Sequence, residues 1–252
     1  LFPALGDGSP VSVLDAATGE IIRGLADTAR AEEFLVSEGI LVALVNVSDT
    51  RDFWRSLERD MRIVAVNPAT GKLLWEHATR TILPMTLSAD GKQVVYHDGQ
   101  AIQSLDLRTG SARWTSAATG QAITLKDKWN PDRAGAEKLK IILAPQLAPT
   151  LLIYDKVVAF AGGRQLNVVS ADDGRELWRA PFAATNYSVP VDLFGFNGAL
   201  WGPDADMNLW RPTNDDVSFT AYDPFTGHVQ QSVSGNYDFR FPHHRCHQMT
   251  VL

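Results

Sequence analysis

The chain has 252 residues, enough to bury a large core, and its 23 Lys+Arg against 29 Asp+Glu leave a net charge of −6. With no dense basic run, that balance excludes a nucleic-acid or anionic-membrane binder. The longest apolar stretches, such as Gly39–Val47, are strand-length and too short to span a bilayer, and the single Cys246 rules out an intrachain disulfide and a four-cysteine zinc site.

In chain order, the first element is a hairpin at Val11–Arg23 (VSVLDAATGEIIR), two alternating apolar runs around a polar turn. Phe34–Ser37 and Ile40–Asn46 then pair around Glu38-Gly39, and Asp49–Asp60 reads as a loop. A second hairpin covers Ile63–Trp75 (IVAVNPATGKLLW), and Met85–Ser88 with Gln93–His97 form a pair around Asp90-Gly91. The third hairpin, Ile102–Trp114 (IQSLDLRTGSARW), precedes an inserted segment at Lys126–Lys140. Leu151–Tyr154 and Val157–Phe160 pair around Asp155-Lys156, followed by the hairpin Leu166–Trp178 (LNVVSADDGRELW). Val191–Phe196 and Ala199–Trp201 pair around Asn197-Gly198, Gly202–Val217 reads as a loop, and the last hairpin is Phe219–Gln231 (FTAYDPFTGHVQQ). Strand pairs run throughout, with no convincing amphipathic helix.

The five hairpins are copies of one unit. Their glycines, Gly19, Gly71, Gly110, Gly174 and Gly227, are spaced by 52, 39, 64 and 53 residues, a blade-sized period. Four positions before the glycine stand Asp15, Asn67, Asp106, Ser170 and Asp223, short side chains that accept a hydrogen bond from backbone a few residues on and so start a turn. The glycine is expected at positive φ, where a Cβ would be penalised. Four positions after it come Trp75, Trp114 and Trp178, replaced by Arg23 and Gln231 in the first and last copies. A broad ring beside a glycine can lie flat on exposed backbone and bury area few side chains match.

The pattern D-x-x-T-G-x-x-x-W, clearest at Ile63–Trp75, Ile102–Trp114 and Leu166–Trp178, resembles the tryptophan-docking motif of pyrroloquinoline-quinone (PQQ)-like repeat proteins. The resemblance implies an all-β propeller of four-stranded antiparallel blades, in which each Trp packs against a neighbouring blade. The repeats then make 1–252 a single propeller domain or fragment, with about four complete blades and two partial ones. The first is a bare hairpin and the tail begins another, as expected for part of a seven- or eight-bladed ring; the alternative is closure at five blades, with the tail from Tyr237 pairing with the first hairpin. The family includes quinoprotein alcohol dehydrogenases and non-enzymatic outer-membrane assembly factors, so fold alone does not decide activity. The run Phe241–His247 (FPHHRCH) is similar to a His-His-Arg-Cys segment of large bacterial PQQ-like repeat proteins.

Several residues carry possible chemistry. His243, His244, Cys246 and His247 offer three imidazoles and a thiol that could bind Zn²⁺ or copper. Alternation along a strand would instead split them between two faces, and a structural or interface role is the preferred reading. Trp54, Trp129, Trp201 and Trp210 fall outside the docking position and either cap blade ends or form a recognition surface, including one for sugars. Asp204, Asp206, Asp215 and Asp216 could hold Ca²⁺ but lack the EF-hand order. No residue is assigned as catalytic and no cofactor is expected; PQQ with Ca²⁺ is the alternative, against which the lone cysteine argues, since many such dehydrogenases use a disulfide between adjacent cysteines.

The expectation is therefore a binding or scaffolding propeller module of a larger extracytoplasmic bacterial protein, periplasmic or secreted, with a protein or carbohydrate ligand. The alternatives are a quinoprotein oxidoreductase and a carbohydrate-active propeller. The chain begins at Leu1 without a Met or a signal peptide and reads as a processed chain or an excised piece.

Overall fold

The computed structural model describes residues 1–48, 60–83, 85–119, 149–162, 165–182, 192–204 and 217–235. It forms two compact units, the first made of Leu1–Ile82, Leu87–Asp98 and Gln103–Trp114, the second of Leu83–Thr86, Gly99–Ile102 and Thr115–Leu252.

The first unit opens on β1 (Ser12–Leu14) and β2 (Ile21–Gly24). After one 3₁₀ turn at Ala26–Thr28 come β3 (Ala31–Ser37), β4 (Ile40–Asn46), β5 (Met61–Asn67) and β6 (Lys72–Thr79), an antiparallel sheet in chain order. Then follow β7 (Ser88–Ala89), β8 (Gln93–His97), β9 (Ile102–Asp106) and β10 (Ala112–Thr115), again one four-stranded sheet. The second unit holds the sheet β11 (Thr150–Tyr154), β12 (Val157–Gly162), β13 (Gln165–Ser170) and β14 (Glu176–Pro181). It also holds the sheet β15 (Phe194–Phe196), β16 (Ala199–Pro203), β17 (Val217–Tyr222) and β18 (Val229–Gly235).

Side-chain alternation explains why inner strands are apolar at every position. Along β4 the residues Val42 and Leu44 belong to a core shared with Val94, Tyr96, Leu105 and Leu107, while Leu41, Ala43 and Val45 point the other way, into a core with Val11 and Leu25. A sheet covered on both faces reads as a continuous hydrophobic run, and all seven residues of β4 are buried. In the second unit Val157, Ala159, Leu166 and Val168 pack with Leu200 and Tyr222, so sheet β11–β14 lies against sheet β15–β18.

The tight turns follow from local chemistry. Glu38-Gly39, Asp155-Lys156 and Asn197-Gly198 all have positive φ (48° and 73°, 44° and 68°, 49° and 77°), the two-residue hairpin turn whose twist matches that of its strands. Asp90-Gly91 is different: the Asp90 carboxylate accepts the N–H groups of Lys92 and Gln93 at 2.8 and 2.9 Å, which closes the turn without a left-handed glycine.

The first hairpin is a two-stranded sheet of β1 and β2 as expected, and residues 1–4 lie alongside β1 through backbone hydrogen bonds and one isolated bridge. The Leu14 N–H donates to Leu1 O at 2.9 Å, the Ser12 N–H to Pro3 O at 2.8 Å, and Ala4 bridges Val11. Pro3 serves there only as an acceptor, which is why a proline is tolerated at this edge. Two sequence expectations need correction. The strand expected at Met85–Ser88 shrinks to β7, since Met85 has φ of 60° and the Thr86 hydroxyl turns back to Leu83 O at 2.6 Å. Gly202 and Pro203, read as the start of a loop, complete β16, and Gly202 pairs with Thr220.

Candidate functional site

Every polar position of the repeated hairpin has a defined task. The Oδ1 atom of Asp15 accepts the N–H groups of Ala17 and Thr18 at 2.8 and 2.9 Å. Asn67 does the same for Ala69 and Thr70, Asp106 for Arg108 and Thr109, and Asp223 for Phe225 and Thr226, all between 2.8 and 3.1 Å. In the fourth copy Ser170 makes a weaker version, its Oγ accepting from Asp172 at 3.3 Å. Each glycine N–H then returns to the carbonyl of that turn residue at 2.7–3.0 Å. All five glycines sit at φ between 71° and 77°. The N–H bonds from Thr18 and Ala17 pull the Asp15 carboxyl below its usual range, and those from Thr226 and Phe225 do so for Asp223. These carboxylates are turn caps.

In three copies the residue four positions after the glycine reaches the glycine of the next hairpin. The Trp75 indole covers Gly110 so closely that a methyl there would lie 2.7 Å from the ring, and its Nε1–H donates to Leu107 O at 2.9 Å. Trp178 repeats this in the second unit, 2.6 Å from a methyl on Gly227 and donating to Pro224 O at 2.9 Å. Leu107 and Pro224 occupy the same place, three residues before their glycines. In the copy without a Trp, the Arg23 guanidinium lies over Gly71, 3.6 Å from the methyl position. Trp114 donates from Nε1 to the Gln93 side chain at 3.1 Å. Trp75 is buried, whereas Trp114 and Trp178, expected to be largely buried, are half-buried.

A second set of cross-sheet contacts, absent from the sequence reading, joins the β-turns of the first strand pairs. The Ser37 hydroxyl donates to Asp90 O at 2.9 Å, and the Glu38 side chain lies over Gly91. In the second unit the Tyr154 ring covers Gly195, a methyl there falling 2.1 Å from it, and the Gly198 N–H donates to the Tyr154 hydroxyl at 2.8 Å. The available clue was Gly195 within an apolar strand, a position that signals close approach by a neighbour.

Between sheets β3–β6 and β7–β10 the Tyr96 hydroxyl meets His77 Nε2 at 3.2 Å. Burial, with Asp98 nearby, pushes the Tyr96 hydroxyl up to about 12, and a bond with Thr79 opposes it. Burial likewise pushes His97 down to about 4, against the pull of Asp98. These are groups held neutral inside a packed seam.

Of the remaining candidates, Trp201 stacks on Phe194 with ring planes 4° apart and donates from Nε1 to Phe196 O at 3.3 Å. The Asp204 carboxylate accepts a short hydrogen bond from the Thr220 hydroxyl. Trp54, Trp129, Trp210, Asp206, Asp215, Asp216, His243, His244, Cys246 and His247 lie outside the described residues. Among the described residues no helix is long and apolar enough to cross a membrane.

Four-stranded antiparallel sheets, locked in pairs within each unit by an indole lying on a capped glycine hairpin, define a PQQ-like β-propeller. The comparisons with known proteins place the chain more closely. A family model described as outer membrane protein assembly factor BamB matches residues 7–199, and the chain belongs to that family. Among solved structures it is similar to BamB from Moraxella catarrhalis, with a TM-score of 0.53 at 18% identity, over 94% of this chain and 60% of that one. A computationally designed protein, Ika8, aligns with a TM-score of 0.46 at 13% identity, over 90% of this chain and 69% of that one. The chain thus spans 60% of the length of the Moraxella protein. No curated protein matches the sequence.

Proposed function

We propose that this chain is a binding and scaffolding propeller module of an extracytoplasmic bacterial protein, with protein as its ligand. The observation that carries the reading is the use to which the repeat motif is put. The carboxylates of Asp15, Asp106 and Asp223 cap backbone N–H groups, and Trp75 and Trp178 lie on glycines. The motif builds a frame. Among the side chains it leaves exposed on outer strands are apolar ones: Ile21 and Ile22 on β2, Leu74 on β6, Val229 and Val233 on β18. Such side chains on strand edges suit contact with another protein. Membership of a family described as an outer membrane protein assembly factor supports a periplasmic setting.

The quinoprotein alternative needs Ca²⁺ ligands and a clamp for PQQ. Against it weigh the repeat's carboxylates, whose oxygens cap backbone N–H groups in turns, and the single cysteine, which cannot form a disulfide between neighbours.

Two measurements on the purified chain separate the readings. With PQQ, Ca²⁺ and an alcohol, we expect no change in melting temperature and no reduction of an artificial electron acceptor; sustained dye reduction would overturn the proposal. With a photocrosslinker at Ile22 or Val229 in periplasmic expression, we expect discrete adducts to envelope proteins. Absence of adducts from both positions would count equally against it.

A further inference from the structure

We propose that Asn197-Gly198 is a site of spontaneous deamidation, and that the Tyr154 hydroxyl of the preceding sheet holds the reaction in check. Asn197 is the one asparagine of the sequence that a glycine follows. In such a pair the glycine nitrogen can attack the asparagine side-chain carbon, because no Cβ hinders the approach. A bond forms between Gly198 N and Asn197 Cγ, and the Cγ–Nδ2 bond breaks. The side-chain nitrogen leaves as ammonia, its third hydrogen supplied by the proton that the Gly198 nitrogen gives up. Water then opens the cyclic imide at either carbonyl, leaving aspartate or isoaspartate at 197.

The turn is open to that water. Asn197 and Gly198 are exposed, and so are Asp155 and Lys156 at the equivalent turn of sheet β11–β14, on which another sheet is packed. Exposure therefore belongs to this turn position, whether or not a sheet follows.

Two features keep the reaction slow. Asn197 and Gly198 sit at φ of 49° and 77°, the left-handed pair of a tight hairpin, with Phe196 and Ala199 paired across it. The imide ring contains the Cα–C bond of Asn197 and imposes a ψ outside the left-handed region, so the turn must open before the ring can close. The attacking nitrogen is also engaged, since the Gly198 N–H donates to the Tyr154 hydroxyl at 2.8 Å. That bond keeps the proton on nitrogen and ties the turn to sheet β11–β14. Tyr154 is itself fixed: its ring covers Gly195 so closely that a methyl there would fall 2.1 Å from it. Isoaspartate adds a methylene to the main chain, so its formation would break the register of this two-residue turn and release the seam between the two sheets.

Peptide mapping by mass spectrometry of the full chain, kept folded in mildly alkaline buffer, tests this by following aspartate and isoaspartate at 197. The native chain should react more slowly than the same chain unfolded in guanidinium chloride. Tyr154→Phe keeps the ring over Gly195 and loses only the hydroxyl, and should speed the reaction by up to about tenfold, the factor that one hydrogen bond supplies. Val168→Ala, in the core between the same two sheets, measures the effect of general loosening and should leave the rate near that of the native chain. A native rate equal to that of the unfolded chain, an Asn197 that stays intact even when unfolded, or no acceleration in Tyr154→Phe overturns the proposal. So does an equal acceleration in Val168→Ala, which would show that opening of the whole core, and not the hydroxyl, sets the rate.

Discussion

The Trp75 and Trp178 docks share a geometry and differ in their surroundings. In both, an indole lies on a left-handed glycine and donates at 2.9 Å to a carbonyl three residues earlier. Trp75 is 8% exposed within a core that includes Leu105 and Leu107, while Trp178 stays half-buried and leans on Tyr222, with ring centroids 5.7 Å apart. Arg23 over Gly71 is a third version, with a planar cation in the ring's place and its Nε buried without a hydrogen-bond partner. The hairpin fixes where the occupant lies. How much apolar area the occupant removes from water decides what the contact contributes.

That distinction orders the expected effects. Trp75→Ala should cost about 3–5 kcal/mol in urea unfolding, as for other buried aromatic truncations, and Trp178→Ala clearly less. Equal losses at the two sites would show that the shared hydrogen bond, not burial, governs the dock.

Acid should separate the two units next. His97 belongs to the first unit and titrates at about 4 when folded, against 6.5 when unfolded, mainly through burial. Between those values the unfolded chain takes up a proton that the folded chain refuses. Stability is therefore complete above pH 6.5 and falls progressively toward pH 4, by about 3 kcal/mol. Hydrogen exchange at pH 5 should show β8 losing protection relative to pH 7.5, while β17 and β18 change little. His97→Gln should flatten the pH dependence even if it lowers stability overall.

Glycine substitutions isolate the dock from the turn. Gly19→Ala and Gly110→Ala both force a Cβ into the left-handed region, at about 1–2 kcal/mol. Only at Gly110 does that Cβ strike a ring, adding about 1–3 kcal/mol of overpacking. A measured difference near zero would mean that Trp75 moves aside freely.

These contrasts also show what could be read before folding. The hairpins were legible because their chemistry is local: Asp106, Thr109 and Gly110 close one turn among neighbours in sequence. The depth of each tryptophan was not, because it depends on side chains distant in sequence, as when Leu105 and Leu107 pack with Trp75. The Tyr154–Gly195 contact joins residues 41 positions apart, and no periodic pattern announces it. The pairing of residues 1–4 with β1 was hidden by Pro3, which reads as a breaker until its carbonyl is seen accepting from Ser12.

The smallest effect tests whether the turn needs charge at all. Asp223 and Asn67 occupy equivalent places, and each Oδ1 accepts two backbone N–H groups at 2.8–3.1 Å. Asp223 also receives the Thr226 hydroxyl at 2.9 Å, and the bonds from Thr226 hold its carboxyl below the usual 3.8. Asp223→Ala removes the acceptor and should cost about 1 kcal/mol at pH 7, toward the lower end of hydrogen-bond values because the site is open to water. Asp223→Asn keeps the acceptor and should cost less than half of that. A depressed carboxylate contributes stability above its unfolded value and loses it as the pH falls through its folded value. The native protein and Asp223→Asn should therefore converge in stability as the pH drops below 3.8, while Asp223→Ala remains the less stable. Should Asp223→Asn match Asp223→Ala at pH 7, the charge rather than the acceptor geometry closes the last hairpin, and Asn67 must draw its stability from the packing of β5 and β6 instead.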